Sequence, residues 1–216
     1  MIRPARRTTA VLVLSAALLL TSCGSGGGDE SPSGKIDGAD SGNGSAQAGP
    51  TASASPSDID RPEIKLSKEF QANFENWTNS DPKLQAILDD GREQLRAKYA
   101  AVIEANPDSE AVAFYSSEAT LTTARKWIKQ FVDDGDSIIG EVRVFDPQVK
   151  INDTGSGALF YCVDERKAST KNRETDKVVK TPDKPESVLQ YRTRLDRTTE
   201  GVWQTTSVTV VPGGCN

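Results

Sequence analysis

The sequence predicts an α+β domain in which helices pack on one face of an antiparallel meander of four strands. Two observations carry this. Apolar residues recur at helical spacing up to Gly135 and alternate with polar ones after it, so the period changes once along the chain. Helices first and consecutive strands afterwards is the order of a sheet covered on one side. Composition adds a boundary: of 216 residues, the first quarter is mostly small and polar, leaving residues 63–216 for the folded domain.

Leu66, Phe70, Phe74 and Trp77 recur at spacings of four, four and three, which predicts a first helix with one buried face. Asp81-Pro82 then supplies a helix start, with aspartate as N-cap and proline at the first helical position. Leu84, Leu88, Leu95, Tyr99 and Val102 form one stripe of that second helix, Gly91 is its weak point, and Asn106-Pro107-Asp108 ends it. Beyond a short segment with Val112, Phe114 and Tyr115, Ser116 or Ser117 opens a third helix. It carries Leu121, Ala124, Trp127, Ile128 and Phe131 and stops near Asp134-Gly135.

The first strand is expected at 139–151, bent at Asp146-Pro147 because proline cannot donate to a ladder. A turn at 152–157 leads to a strand at 158–163. The polar stretch 164–185, with seven basic and five acidic residues, reads as an extended hairpin loop. Strands at 188–195 and 202–211 follow, joined by 197–201.

This pattern resembles the nuclear transport factor two-like superfamily, a cone of helices against a curved antiparallel sheet. More narrowly it is similar to small secreted lipoproteins of actinobacteria. The residues that carry the likeness are Trp127 and Phe131 before Gly135, the Asp146-Pro147 bend, Tyr161-Cys162-Val163-Asp164, Tyr191-Arg192, Gly201-Val202-Trp203 and the closing Pro212-Gly213-Gly214-Cys215. It covers about 67–215.

Ahead of the domain, Arg3, Arg6 and Arg7 precede the apolar run 10–20, the charged and hydrophobic regions of an export signal. About 11 residues at ~1.5 Å rise span only half of a ~30 Å hydrocarbon core, too little for a transmembrane helix. Arg6-Arg7 is a weak twin-arginine signal, since Thr8 and Thr9 follow it. Leu20-Thr21-Ser22-Cys23 resembles the lipobox of bacterial lipoproteins: an aliphatic residue, two small ones and the cysteine that is lipidated. The resemblance implies a signal peptide at 1–22, cleavage after Ser22, and a diacylglyceryl thioether and acyl (palmitate-type) anchor on Cys23, on the outer face of the cell membrane. Two chains at ~0.8 kcal/mol per methylene anchor stably, where one is marginal. Residues 23–62 are Gly, Ser, Ala, Pro and Asp with almost no large apolar side chain, which predicts a disordered tether with an r.m.s. reach of roughly 33 Å.

Of three cysteines, the lipid takes Cys23. In an oxidising compartment Cys162 and Cys215 are then the remaining pair, and the absence of a Cys-x-x-Cys spacing favours a structural disulfide over a redox dithiol.

The chain has no histidine, which removes Ser-His-Asp, Cys-His and histidine-zinc sites together. Its net charge of -5 divides into about +3 on the signal, -5 on the linker up to Asp60 and -3 on the rest, without the clustered basic face that nucleic acid requires. Candidate pocket residues are Tyr99, Tyr115, Trp127, Tyr161, Tyr191 and Trp203, with Asp164, Arg143 and Arg192 as charged partners. Each has a plainer reading as core or as solvated strand face. Asp133, Asp134 and Asp136 cluster at a helix end and read as a hydrated turn, so no metal or cofactor is expected. Three functions stay open. The first is a non-enzymatic envelope lipoprotein binding an envelope protein or a small apolar ligand. The second is a cone-fold isomerase, dehydratase or cyclase with a buried aspartate and tyrosine. The third is a structural envelope role. Oligomeric state is not legible.

Overall fold

Phe70 and Phe74 stand four apart, a spacing that suits one face of a helix and one face of a strand equally. The structure, a computed structural model describing residues 59–215, settles which. Segment 66–77, expected as a helix, instead holds strand β1, Phe70–Phe74. Gln71 and Asn73 are exposed between the two phenylalanines, so the working period is two. β1 pairs in parallel with residues 140–144 of strand β2, Asp136–Ile151. A partner strand that comes from far along the chain decided the conformation, and local spacing could not see it.

Helix α1, Pro82–Ile103, begins as expected: Asp81 is the N-cap, its carboxylate accepting from the Lys83 N–H at 2.8 Å, and Pro82 occupies the first position. Gly91 lets α1 lie close on the sheet, since a Cβ there would come within 2.5 Å of Leu159 Cδ2. At the other end Arg173 donates to the carbonyls of Val102 and Ile103, capping the helix with a positive charge. A short helix α2, Glu110–Phe114, precedes α3, Glu118–Asp133, which has Ser117 as N-cap and ends at Gly135 with φ of 67°.

The remaining strands are β3, Gly157–Asp164; β4, Ala168–Asn172; β5, Val178–Lys180; β6, Val188–Arg197; and β7, Trp203–Pro212. Together they form a seven-stranded sheet in the order β5-β4-β2-β3-β6-β7, with β1 beside β2, and every pairing except β1 with β2 is antiparallel. Four strands were expected. Besides β1, the two extra ones are β4 and β5, inside the polar stretch read as a loop. Only Ala168 of β4 is buried and all of β5 is exposed, so backbone bonds build this hairpin without apolar alternation. Asn172 shapes its turn, its side-chain oxygen accepting from the N–H groups of Glu174 and Thr175.

The bend in β2 is where Asp146-Pro147 predicts it: the register against β3 shifts between Phe145 and Gln148, and Asp146 has φ of 52°. A second irregularity, at Gly140, lets β2 face two partners, because Gly140 pairs with Ala168 of β4 and with Phe70 of β1. Its φ is 91° and an added Cβ would stand 2.4 Å from the Lys167 carbonyl oxygen. Gly140→Ala is therefore expected to cost about 2–3 kcal/mol. Urea unfolding reads this, and an unchanged midpoint would contradict it.

Leu159, Tyr161 and Val163 of β3 point toward the helices and are buried, while Cys162 between them points to the opposite face. There it is disulfide-bonded to Cys215, with Cα atoms 6.0 Å apart. The expected signal peptide, Cys23 and nearly all of the tether lie outside the described residues. Ile59 packs against the core and Arg61 pairs with Asp90, so residues at the end of segment 23–62 touch the domain. Among the described residues, no helix is long and apolar enough to cross a membrane.

Candidate ligand cleft

Residues one turn apart on a helix share a face. On α1 this brings Gln94 and Lys98 together, and on α3 Thr123 and Trp127. Facing them are Leu189 and Tyr191 of β6 and Val208 and Val210 of β7. The space enclosed is a cleft of about 480 Å³.

Lys98, half-buried, is the charged residue of the cleft. Its ammonium lies 4.8 Å from the Trp127 ring centroid and 5.9 Å from that of Tyr191, cation–π geometry with both. Burial lowers its pKa to about 8, against the opposing pull of the Glu165 carboxylate. Gln94 is 4% exposed, and its side-chain amide hydrogen-bonds to no other described residue. The threonine hydroxyls of α3 are engaged: Thr120 bonds the Ser117 and Thr205 carbonyls, and Thr123 bonds that of Ala119.

Beneath the cleft the aromatics close into core. Tyr161 and Tyr191 stack at 4.9 Å with planes 9° apart, Trp77 meets Tyr161 edge-on at 5.3 Å, and Tyr99 packs on Phe70 at 4.9 Å. Burial pushes the phenols of Tyr99, Tyr161 and Tyr191 upward, so all three are neutral at ordinary pH. The Tyr99 hydroxyl is buried without a hydrogen-bond partner, and Glu165, 1% exposed, acts on both Tyr99 and Tyr191 through its charge.

Of the six aromatic candidates, Trp127 and Tyr191 line the cleft, whereas Tyr99 and Tyr161 are core below it. Tyr115 and Trp203 belong to another cluster, around Asp90 of α1. Asp90 is 1% exposed; it pairs with Arg61 and accepts from the Trp203 N–H at 2.8 Å. Burial raises its carboxyl pKa, with Arg61 and the Trp203 N–H offsetting part of that. Burial lowers that of Arg61, but Asp90 and the Tyr115 hydroxyl more than compensate. The two directions differ in what wins; the two-oxygen contact of the pair favours both groups charged. The result is a clamp that fastens the chain entering the domain to α1 and β7.

The charged candidates lie elsewhere. Arg143 pairs with exposed Glu75 at 3.3 Å and stacks over Phe145 at 3.8 Å, and Arg192 donates to Gln190 at 2.7 Å. Hydrogen bonds from Arg166 hold the Asp164 carboxyl below its usual range. Arg143 and Asp164 border a hollow next to Cys215, away from the cleft. At the end of α3, Asp133 pairs with Lys129 at 2.6 Å and Asp136 accepts from Asn172 at 3.2 Å. Sequence reasoning missed Lys98 and Gln94. Their signal was present: both are polar and stand one position before Tyr99 and Leu95 on the apolar stripe, at its border.

No family model matches the chain, and no curated protein matches it. Solved structures do. Aln2 from a Streptomyces species aligns with a TM-score of 0.42 and 14% identity over 62% of this chain and 94% of that one. A protein from Catenulispora acidiphila aligns with 0.42 and 12% over 59% and 91%. The intermembrane space region of the chloroplast protein ARC6 aligns with 0.39 and 11% over 60% and 96%. At such scores the α+β description rests on this chain's own helices and strand order.

Proposed function

We propose that the chain is a membrane-anchored extracytoplasmic lipoprotein, a non-enzymatic binding domain of the cell envelope on a nuclear transport factor two-like cone. The observation that carries the binding reading is the cleft, with aromatic and aliphatic walls, a few polar groups and no carboxylate among its lining residues. The Leu20-Thr21-Ser22-Cys23 motif supports the anchor, and a disulfide between Cys162 and Cys215 suits a compartment that permits oxidation. The enzymatic alternative wants a buried aspartate beside a tyrosine in an open pocket. Asp90 is the buried aspartate near Tyr115, and its oxygens are occupied by Arg61 and the Trp203 N–H.

Fractionation of bacterial cells expressing the full chain tests the anchor. The protein is expected in the membrane fraction as a processed form, and Cys23→Ala is expected to accumulate as precursor or escape to the medium. A Cys23→Ala protein that is both processed and membrane-bound would refute the reading.

A further inference from the structure

We infer that the cleft takes a single-chain amphiphile with an anionic head, the head held by Lys98 and Gln94 and the apolar body lying along Trp127, Leu189 and Val208. This rests on the binding reading above and names its ligand class.

Charge complementarity comes first. Lys98 is the one side chain lining the cleft that is ionised at neutral pH, and within the cleft it lies over two ring faces. Ring faces attract a cation through their quadrupole, a weaker interaction than a charge-assisted hydrogen bond to an anion. The titratable groups facing it are Glu165, from the turn after β3, and Tyr191 of β6; α3 and β7 present Trp127, Thr206 and Ser207, which do not titrate. Glu165 does not cancel the effect of burial on Lys98. Tyr191 stays neutral. A carboxylate or phosphate entering the cleft meets the Lys98 ammonium at its lining, with no carboxylate there to compete.

Gln94 points the same way independently. It stands one turn from Lys98 and faces the same space, where its amide, open to the cleft, can donate to the second oxygen of the same head group. Away from Lys98 the lining is mainly apolar: the Trp127 ring continues from the ammonium toward Leu189, Val208 and Val210 on the strands, beside the hydroxyls of Thr206 and Ser207. One charged end and one apolar wall fit one head and one tail, and 480 Å³ is within the ~300–1,000 Å³ range of small-molecule sites.

The test uses the full chain with Cys23→Ala, so that no detergent is needed, and follows tryptophan emission on titration with dodecanoate, dodecanol and dodecyltrimethylammonium. At pH 7 dodecanoate is expected to bind at least ~10-fold more tightly than dodecanol, and the cation most weakly. Raising the pH to 10 removes the Lys98 proton while dodecanoate stays charged, so its affinity is expected to fall ~10-fold. Lys98→Met is expected to abolish both the preference and the pH dependence. Lys98→Arg should keep the preference and lose the pH dependence, and it decides the matter if Lys98→Met does not fold. Dodecanol binding as tightly as dodecanoate, a preference that survives Lys98→Met, or binding to phosphatidylglycerol vesicles with none to free dodecanoate would each overturn the inference. If none of the three amphiphiles binds, the binding reading falls with it.

Discussion

Replacing Asp90 by alanine is expected to destabilise the domain by about 3–5 kcal/mol, since removing one member of a buried ion pair strands the other. Arg61 would lose its carboxylate in a site where its side chain is 30% exposed, and the buried Trp203 N–H would lose its acceptor. The exposure of Arg61 places the result toward the lower end of that range. Asp90→Asn keeps an acceptor for Trp203 and is expected to cost about half as much. Urea unfolding of Asp90→Ala, Arg61→Ala and the double variant would show the coupling. Strictly additive losses would mean that the two side chains do not act as a pair.

Loss of the Cys162–Cys215 bridge is expected to have an effect of similar size by a different route. The two residues are 53 apart in sequence, and releasing a loop of that length returns about 4 kcal/mol of chain entropy to the unfolded state. Reduction, or Cys162→Ala with Cys215→Ala, should lower the unfolding midpoint accordingly, and intact mass should rise by two hydrogens on reduction. An unchanged midpoint or mass would contradict the bridge. Because Cys162 faces away from the helices, the reduced folded protein is expected to keep its ligand cleft, and dodecanoate titration after reduction checks that.

The elements that could be read from the chain were those whose signal is local. Asp81-Pro82 starts α1 because its cap and its fixed φ act within one turn. Asp146-Pro147 bends β2 because proline removes a donor wherever it stands. The elements that escaped depend on partners. Phe70 and Phe74 could not distinguish helix from strand without β2, and β4 and β5 have little apolar alternation because β5 is a fully exposed edge strand and β4 beside it buries only Ala168.

The candidate site divides along the same line. Aromatic residues on inward positions were identified, but periodicity says only that a side chain faces in, not whether another layer covers it. Tyr99 and Tyr161 are covered and became core; Trp127 and Tyr191 border open space. Tyr115 and Trp203 were drawn into the Asp90 clamp, whose three elements are far apart in the chain.

By itself the sequence determined the α+β class, the start of α1, both ends of α3, the bend in β2 and the thiols available for a bridge, since caps, prolines, period and cysteine number are properties of short stretches. Only the tertiary structure decided that segment 66–77 contributes a strand, that the sheet has seven strands, and that Lys98 and Gln94 face a cleft. Those outcomes depend on hydrogen bonds and dielectric surroundings supplied by residues far along the chain, such as Gly140 for Phe70 and Tyr191 for Lys98, and no local pattern encodes them.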